Sequence, residues 1–410
     1  MKSKHLILLT THFPFGYGEP FLETEIIYLA EEFEKVIIIS NDVSSDSSRP
    51  VPTNCHVLRL NMNLSKLEKI RAFFGKNSIE FIEEEHYLLK DIRIRPDSGI
   101  RNTMLVSLYR GMKLKKYILK LIGNDDKSKY VCYSYWCSDN ALGLSLVRSQ
   151  FPEIKAVSRA HGWDLYFEAS SINYLPFRKK IVEGLSELFT ISKKGYDYIQ
   201  ERWYVDMSNT SIRRLGTLPQ KMNPTTNNFL VVSCSNIIPL KRVGLIAKAL
   251  GLITDLEIEW VHFGGGESNV LNQALNLMPS NIKVRLMGNT SNVDVLEWYR
   301  QNSPSLFINV STTEGIPVSI MEALSFGIPV VATDVGGTSE IVNNVNGYLI
   351  NSDFEIDVLA TIVRNFFQLN SKEREDKRLA AIDTWKSLYD AEVNYSQFAK
   401  HLIKKHNLEV

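Results

Sequence analysis

Short runs of β-branched and other apolar residues punctuate the chain, and between them apolar positions recur at helical spacing. The first half offers "HLILLT", "KVIIIS", "HVLRL", "YVCYS", "IKAVSRA", "ELFTIS" and "SIRRLG". The second half offers "FLVVSCS", "IEWVHFG", "IKVRLMG", "SLFINVS", "IPVVATD" and "GYLIN". Most of these runs are nearly continuous rather than alternating, as in strands buried on both faces. Separated by helical stretches, they predict parallel sheets with crossover helices. The expected fold class is α/β, with two Rossmann-like, doubly wound domains facing each other across an interdomain cleft. A linker is expected in "GTLPQKMNPTTNNF", Gly216 to Phe229, where Pro, Asn and Thr interrupt both periods. The expected divisions are residues 1–220, 221–384 and a C-terminal piece, 385–410. In that piece Trp385, Leu388, Tyr389, Phe398 and Leu402 recur at helical spacing, so one or two helices should pack back on the first domain.

Composition narrows the class. The 410 residues are too many for one ordinary core, and 44% hydrophobic with 23% charged residues is a soluble globular profile. A formal net charge of +1 gives no global field for nucleic acid, so no such partner is expected. Cys55, Cys132, Cys137 and Cys234 are too sparse for a disulfide framework and read as reduced thiols of a cytoplasmic protein. The N-terminal apolar run is about six residues and lacks a small-residue cleavage site, so a first strand is expected rather than a signal peptide.

The segment from Leu64 to Gly123 mixes Lys and Arg with Leu, Ile and aromatics. Residues 101–123 read first as a solvated helix packed on the sheet, and second as an interfacial helix resting on anionic lipid at the inner face of a membrane.

The segment "SLFINVSTTEGIPVSIMEALSFGIPVVATDVGG" carries the sharpest chemistry. It predicts a strand, a loop at Thr312–Pro317, a helix from Val318, and a stop at Gly327. Loop and first turn offer unpaired N–H groups between about Gly315 and Ser319, and Gly315, Ile316, Pro317, Val318 and Ser319 are expected to line the donor; such a helix start attracts phosphate. Glu314 and Glu322 flank it, and carboxylates accept hydrogen bonds from sugar hydroxyls rather than from phosphate. A phosphate joined to two polyols, that is a nucleotide sugar, fits the pattern.

The stretch Ser311–Gly347 closely resembles the retaining glycosyltransferases of family four, of the two-domain GT-B fold. The resemblance extends through "FPFGYGEPFLETEI", "SRAHGWDLY", "TISKKGYDYI", "CSNIIPLKR" and "VHFGGGES". It implies that the first domain binds acceptor and the second the donor. It also implies that Glu322 holds the ribose, that Glu314 contacts the donor sugar near its 3- and 4-hydroxyls, and that the amides after Glu314 meet sugar and distal phosphate. His161 of "RAHGWDLYF" would hydrogen-bond the donor sugar near the reacting carbon, with Asp164 orienting it or meeting the acceptor. A lone histidine is more often a satisfied core residue.

In "CSNIIPLKR" Lys241 matches the family lysine on the diphosphate, whereas Asn236 stands where an arginine is usual. Arg242 is expected to make up the charge. Gly16 and Gly18 give a close-approach loop after the first strand, which the resemblance places against the donor phosphates and the acceptor. Gly264 and Gly288 are expected beside the nucleoside, and Gly336 and Gly337 serve a turn before Thr338. The chain contains no Asp-x-Asp and no His/Cys cluster at metal spacing, so no metal and no cofactor are expected. The resulting expectation is a metal-independent, retaining hexosyl transferase moving sugar from a UDP-sugar, or GDP-mannose, to a glycan or lipid-linked glycan in bacterial surface polysaccharide synthesis (O-antigen or capsule). The alternatives are a nucleotide-sugar epimerase of the same architecture and, given a G-x-G loop with Asp42 after the second strand, a dinucleotide-dependent oxidoreductase.

Overall fold

A computed structural model describes residues 4–16, 18–222, 224 and 229–404. Tyr17 of the expected glycine loop and residues 223 and 225–228 of the expected linker lie outside them. The chain divides into two compact units, one of residues 1–214 with 392–410, the other of residues 215–391.

The first unit runs β1 (His5–Thr10), α1 (Leu22–Glu32), β2 (Lys35–Ser40), β3 (Cys55–Arg59), α2 (Lys66–Phe73), α3 (Ile79–Tyr87) and α4 (Ser98–Ile122). It continues through β4 (Tyr130–Ser134), α5 (Asp139–Gln150), β5 (Lys155–Ala160), α6 (Arg178–Gly184), β6 (Glu187–Thr190), α7 (Lys193–Arg202) and β7 (Thr210–Ile212). Its seven strands are ordered β3-β2-β1-β4-β5-β6-β7, and all pair in parallel. The two-residue period of a strand feeds both faces of this sheet. Ile7 and Leu9 join the core beneath α4 and α5, while Leu6 and Leu8 join the core beneath α1.

The second unit runs β8 (Leu230–Cys234), α8 (Val243–Gly251), β9 (Ile258–Phe263), α9 (Asn269–Asn276), β10 (Ile282–Leu286) and α10 (Asn292–Asn302). Then come β11 (Leu306–Asn309), α11 (Val318–Ser325), β12 (Val330–Thr333), β13 (Gly347–Ile350), α12 (Ile356–Gln368) and α13 (Ser371–Leu388). The parallel order is β10-β9-β8-β11-β12-β13. Both sheets therefore reverse direction once, between β1 and β4 in the first and between β8 and β11 in the second. In open α/β sheets ligands gather at that switch, beyond the carboxyl ends of the strands.

A last helix, α14 (Ala391–Ile403), returns to the first unit. Phe398 and Leu402 are buried in the α1-side core, with the Phe398 ring 5.3 Å from that of Tyr133. The fully buried Arg159 lies 4.2 Å over Phe398 and pairs with the equally buried Glu25 at 2.7 Å. The unit boundary falls at 214/215 rather than 220/221 because Thr217 bridges to Asp390 and donates its N–H to the Tyr389 carbonyl. The C-terminal piece of the first unit begins at 392 rather than 385, since Trp385 of α13 donates its Nε1–H to Thr217 Oγ1 at 2.8 Å within the second unit. That helix starts at Ser371, held by an Asn370–Glu373 capping box, in a charge-rich stretch with little apolar signal.

Residues 101–122 lie within α4 and Gly123 ends it; Met104, Leu105, Leu108, Leu114, Ile118 and Ile122 are buried. That helix turns its apolar face inward, as the first of the two readings, a helix packed on the sheet, expects. No helix among the described residues is long and apolar enough to cross a membrane.

Candidate functional site

In the second unit the loops after β8 and β11 meet at the sheet's switch. Lys241, in the first loop, brings Nζ to 2.5 Å from Glu314 Oε1, in the second. Asn309 Nδ2 donates to the same oxygen at 3.3 Å. The pair neutralises itself across the switch, and a lysine so held still has two N–H donors to offer. Immediately after Glu314, the N–H groups of Gly315, Ile316, Val318 and Ser319 have no acceptor among the described residues. The Ile316 and Pro317 side chains are buried, so what they present is backbone. Pro317 opens α11 without a side-chain cap, leaving the helix start bare.

The loop's shape depends on a glycine. Gly336 sits at φ +51°, and a Cβ there would lie 1.6 Å from the Glu314 carbonyl oxygen. Its neighbour Gly337 donates its N–H to the Gly315 carbonyl at 2.7 Å. The Gly-Gly pair thus clasps the Glu314 loop from behind.

Glu322 lies one turn into α11, buried, with Asn292 Nδ2 donating to Oε1 at 2.7 Å. Burial raises its pKa to about 7, which the Asn292 bond only partly offsets. The same pocket pushes the Cys234 thiol up to about 12, by burial first and the nearby Glu322 second. A carboxyl kept from water in this way favours a partner that donates hydrogen bonds to it, as vicinal hydroxyls do.

The glycine turns complete the rim. Gly264, at φ +131°, donates its N–H to the Gly288 carbonyl at 2.9 Å, and a Cβ there would strike the Ser235 carbonyl. Ile237 donates to the Gly265 carbonyl, so the loops after β8, β9 and β10 are knitted together. Nothing lies within 4 Å of where a Gly288 Cβ would stand. Asn236 is exposed in the same rim.

Arg242 departs from expectation. Its Nε donates to the Val310 carbonyl at 2.6 Å, Nη1 to Ser352 at 2.6 Å and Nη2 to Ser311 at 3.1 Å. The guanidinium also stacks 5.2 Å from Phe354. It pins the end of β11 to the 352–354 turn instead of standing free as a second phosphate cation.

In the first unit the corresponding switch is held by a residue that sequence reasoning missed. Glu19 is buried, and its carboxylate accepts N–H bonds from Thr11 at 2.9 Å, His12 at 2.7 Å and Phe13 at 2.6 Å, together with Trp136 Nε1. It ties the loop after β1 to the loop after β4. A carboxylate within a glycine-rich aromatic loop was the available signal, but its partner is 117 positions away. Gly16, at φ +57°, and Gly18, against the His12 ring, shape this loop, and Arg49 braces it through the Pro14 and Gly18 carbonyls.

His161 follows β5 and is buried between the Trp136 and Tyr135 rings, 4.5 and 4.6 Å away. Neither ring nitrogen has a hydrogen-bond partner among the described residues; Nδ1 is 3.6 Å from Asp164 Oδ2. Asp164 is fully buried. Oδ1 accepts from the His161 and Gly162 amides, and Oδ2 from the Cys137 amide. Burial alone would raise its pKa, yet the His161 ring and these donors outweigh it and lower the net value. Asp164 therefore fastens the His161 loop and has no surface with which to meet an acceptor, which corrects that expectation. Asp42 is likewise engaged, by the Ser44 and Ser45 amides and by His12 Nδ1 at 3.2 Å, so it is not an open ribose acceptor.

Comparison with known proteins bears on the family and on the fold. Residues 217–382, nearly the whole second unit, match the family described as "Glycosyl transferases group 1". Among curated relatives, the UDP-N-acetylglucosamine--peptide N-acetylglucosaminyltransferase GtfA subunit of Streptococcus agalactiae is 30% identical over 128 residues, 30% of this chain and 24% of that protein. The chain spans only about a quarter to a third of the first curated relatives' length. Among solved structures, Anabaena HepE in complex with UDP superposes with a TM-score of 0.67 at 16% identity, over 97% of this chain and 99% of that one. The lipopolysaccharide outer core galactosyltransferase WaaB gives 0.67 at 14% identity, over 97% and 99%. These likenesses establish the shared two-unit α/β fold.

Proposed function

We propose that the chain is a glycosyltransferase that takes a sugar from a nucleoside-diphosphate donor and places it on a hydroxyl of a glycan or lipid-linked glycan. One observation carries the reading: the Glu314–Lys241 pair flanks a run of unpartnered amides at the start of α11, inside the segment that matches a glycosyltransferase family. In this reading the amides of Gly315–Ser319 and the remaining Lys241 donors receive the diphosphate. Glu314 accepts from donor-sugar hydroxyls, and Glu322 from the ribose. Gly264 and Gly288 border the nucleoside. A UDP-sugar is favoured over GDP-mannose because a solved structure of the same fold holds UDP and another of the same protein holds UDP-glucose.

The proposed transfer retains configuration. The bond from the anomeric carbon to phosphate oxygen breaks, and the nucleoside diphosphate leaves with the electron pair. Positive charge grows on the ring, as in other glycosyl transfers. The acceptor oxygen attacks from the same face, and its proton passes to the departing phosphate. Lys241 and the amides stabilise the developing negative charge; removing one such donor costs about 3–4 kcal/mol of barrier. His161 contributes a donor toward the sugar. The proposed setting is surface-polysaccharide synthesis in the cytoplasm.

A thermal-shift panel of UDP- and GDP-sugars tests donor binding. A true donor at about a hundredfold excess over Kd should stabilise the protein by about 2.7 kcal/mol. Glu322→Ala should abolish that gain, while His161→Ala should keep most of it and stop turnover. Retention of donor stabilisation in Glu322→Ala overturns its assignment, and isolation of a glycosyl ester on a carboxylate overturns the same-face route.

A further inference from the structure

The stretch joining β3 to α4 carries a surface that transfer chemistry does not use. A Ser65–Glu68 capping box starts α2, and a 3-10 turn, Phe74–Asn77, follows it. One edge of this element faces the protein. Glu68 pairs with Lys113 of α4 at 2.9 Å, Ala72 is buried, and Gly75 abuts Leu105 and Leu108. Those positions are spaced i, i+4, i+7, so the opposite face of the helix is fixed by geometry. It carries Leu67, Ile70, Phe73 and Phe74, exposed by 68, 60, 55 and 73%, with Ile79 just beyond at 62%. Scattered apolar residues are normal on a surface, but a contiguous set on one outward face marks a binding surface.

The charges around it identify the partner. Lys66, Lys69, Arg71 and Lys76 are exposed, and none has a carboxylate partner among the described residues. Lys76 rides 3.9 Å over the Phe73 ring. Glu68, the single acid between residues 66 and 77, is already neutralised by Lys113. An apolar stripe bordered by free cations complements an anionic lipid surface, where rings and aliphatic chains enter the acyl boundary and the cations meet headgroups. A second copy of the chain fits poorly: an isologous contact would bring four unpaired cations against four identical ones.

We propose that α2 and the turn after it form a docking face for an anionic bilayer. This face lies outside residues 101–123, and it stands independently of the transferase reading.

The test is cosedimentation of the full chain with vesicles of phosphatidylcholine alone or with about 30% phosphatidylglycerol, at low and high salt. Binding should require the anionic lipid and weaken at least about tenfold at high salt. Ile70→Glu with Phe74→Glu should reduce it at least about tenfold. Lys66→Gln with Lys69→Gln should reduce it about fivefold per cation removed. Circular dichroism and melting should be unchanged, because these side chains touch little else. Transfer to a soluble acceptor should also be unchanged, which separates failure here from failure of the transferase reading. Absence of vesicle binding by the parent, equal binding by the acidic double variant, or a concentration-dependent dimer that this variant dissolves without altering vesicle binding each overturns the proposal.

Discussion

Glu322 links fold stability to the site through one proton. Burial raises its pKa from 4.5 to about 7, so between those values the folded chain holds a proton that the unfolded chain has released. Ligand-free stability should therefore fall as pH rises through that window. Glu84, in the first unit, is also raised to about 7 by burial and adds to the same trend. Glu322→Gln keeps an acceptor for Asn292 but cannot ionise. Its melting temperature relative to the parent should climb between pH 5 and pH 8 by a few degrees, on a scale of about 2–4 °C per kcal/mol for a unit of this size. A difference independent of pH would show that Glu322 does not titrate in that range. The variant should also lose donor affinity at neutral pH, since an amide presents only one acceptor oxygen to a pair of hydroxyls.

Elements place these residues through contacts that lie far apart in the chain. Arg242 joins the start of α8 to the end of β11 and the turn after β13 through three carbonyls. Arg242→Met should cost about 1.5–3 kcal/mol in urea unfolding, the range for hydrogen bonds to a charged group. It should also weaken donor binding indirectly, by loosening the loop that carries Glu314. Lys241→Ala should cut donor binding strongly yet change stability by no more than about 1 kcal/mol, because its ion pair is partly exposed. Equal stability losses in the two variants would mean that Arg242 is not the clamp.

The alternation of runs made both parallel sheets legible, because the central strands are buried on two faces and read as apolar blocks, whereas the edge strands β3 and β10 are only partly buried. The α11 start was legible for a local reason: strand, loop, helix and glycine stop fall within about thirty residues. The roles of Arg242 and Glu19 were not, and for Asp164 the sequence left two readings open, of which holding His161 is the one its contacts match. Each depends on which distant backbone groups the sheet order brings to a switch, and charge and spacing alone cannot tell a free cation from one holding carbonyls.

At the scale of the whole molecule, the return of α14 to the first unit is the decisive feature. Removing the chain from Ala391 onward would strip Phe398 and Leu402 from the core beneath β1 and β4 and uncover the Arg159–Glu25 pair. The second unit keeps its own core, centred on Trp260, Leu306 and Val331. Calorimetry of such a truncation should show the first unit's transition lowered or lost and the second's little changed; an intact first transition would show that α14 is dispensable. The same feature sets a timetable for synthesis. A ribosome releases residues 1–214 long before the helix that seals their apolar floor, so the middle of the polypeptide can finish folding while its beginning still waits. Birth order and completion order are reversed, and the nascent first unit must be kept from sticking to its neighbours until α14 emerges.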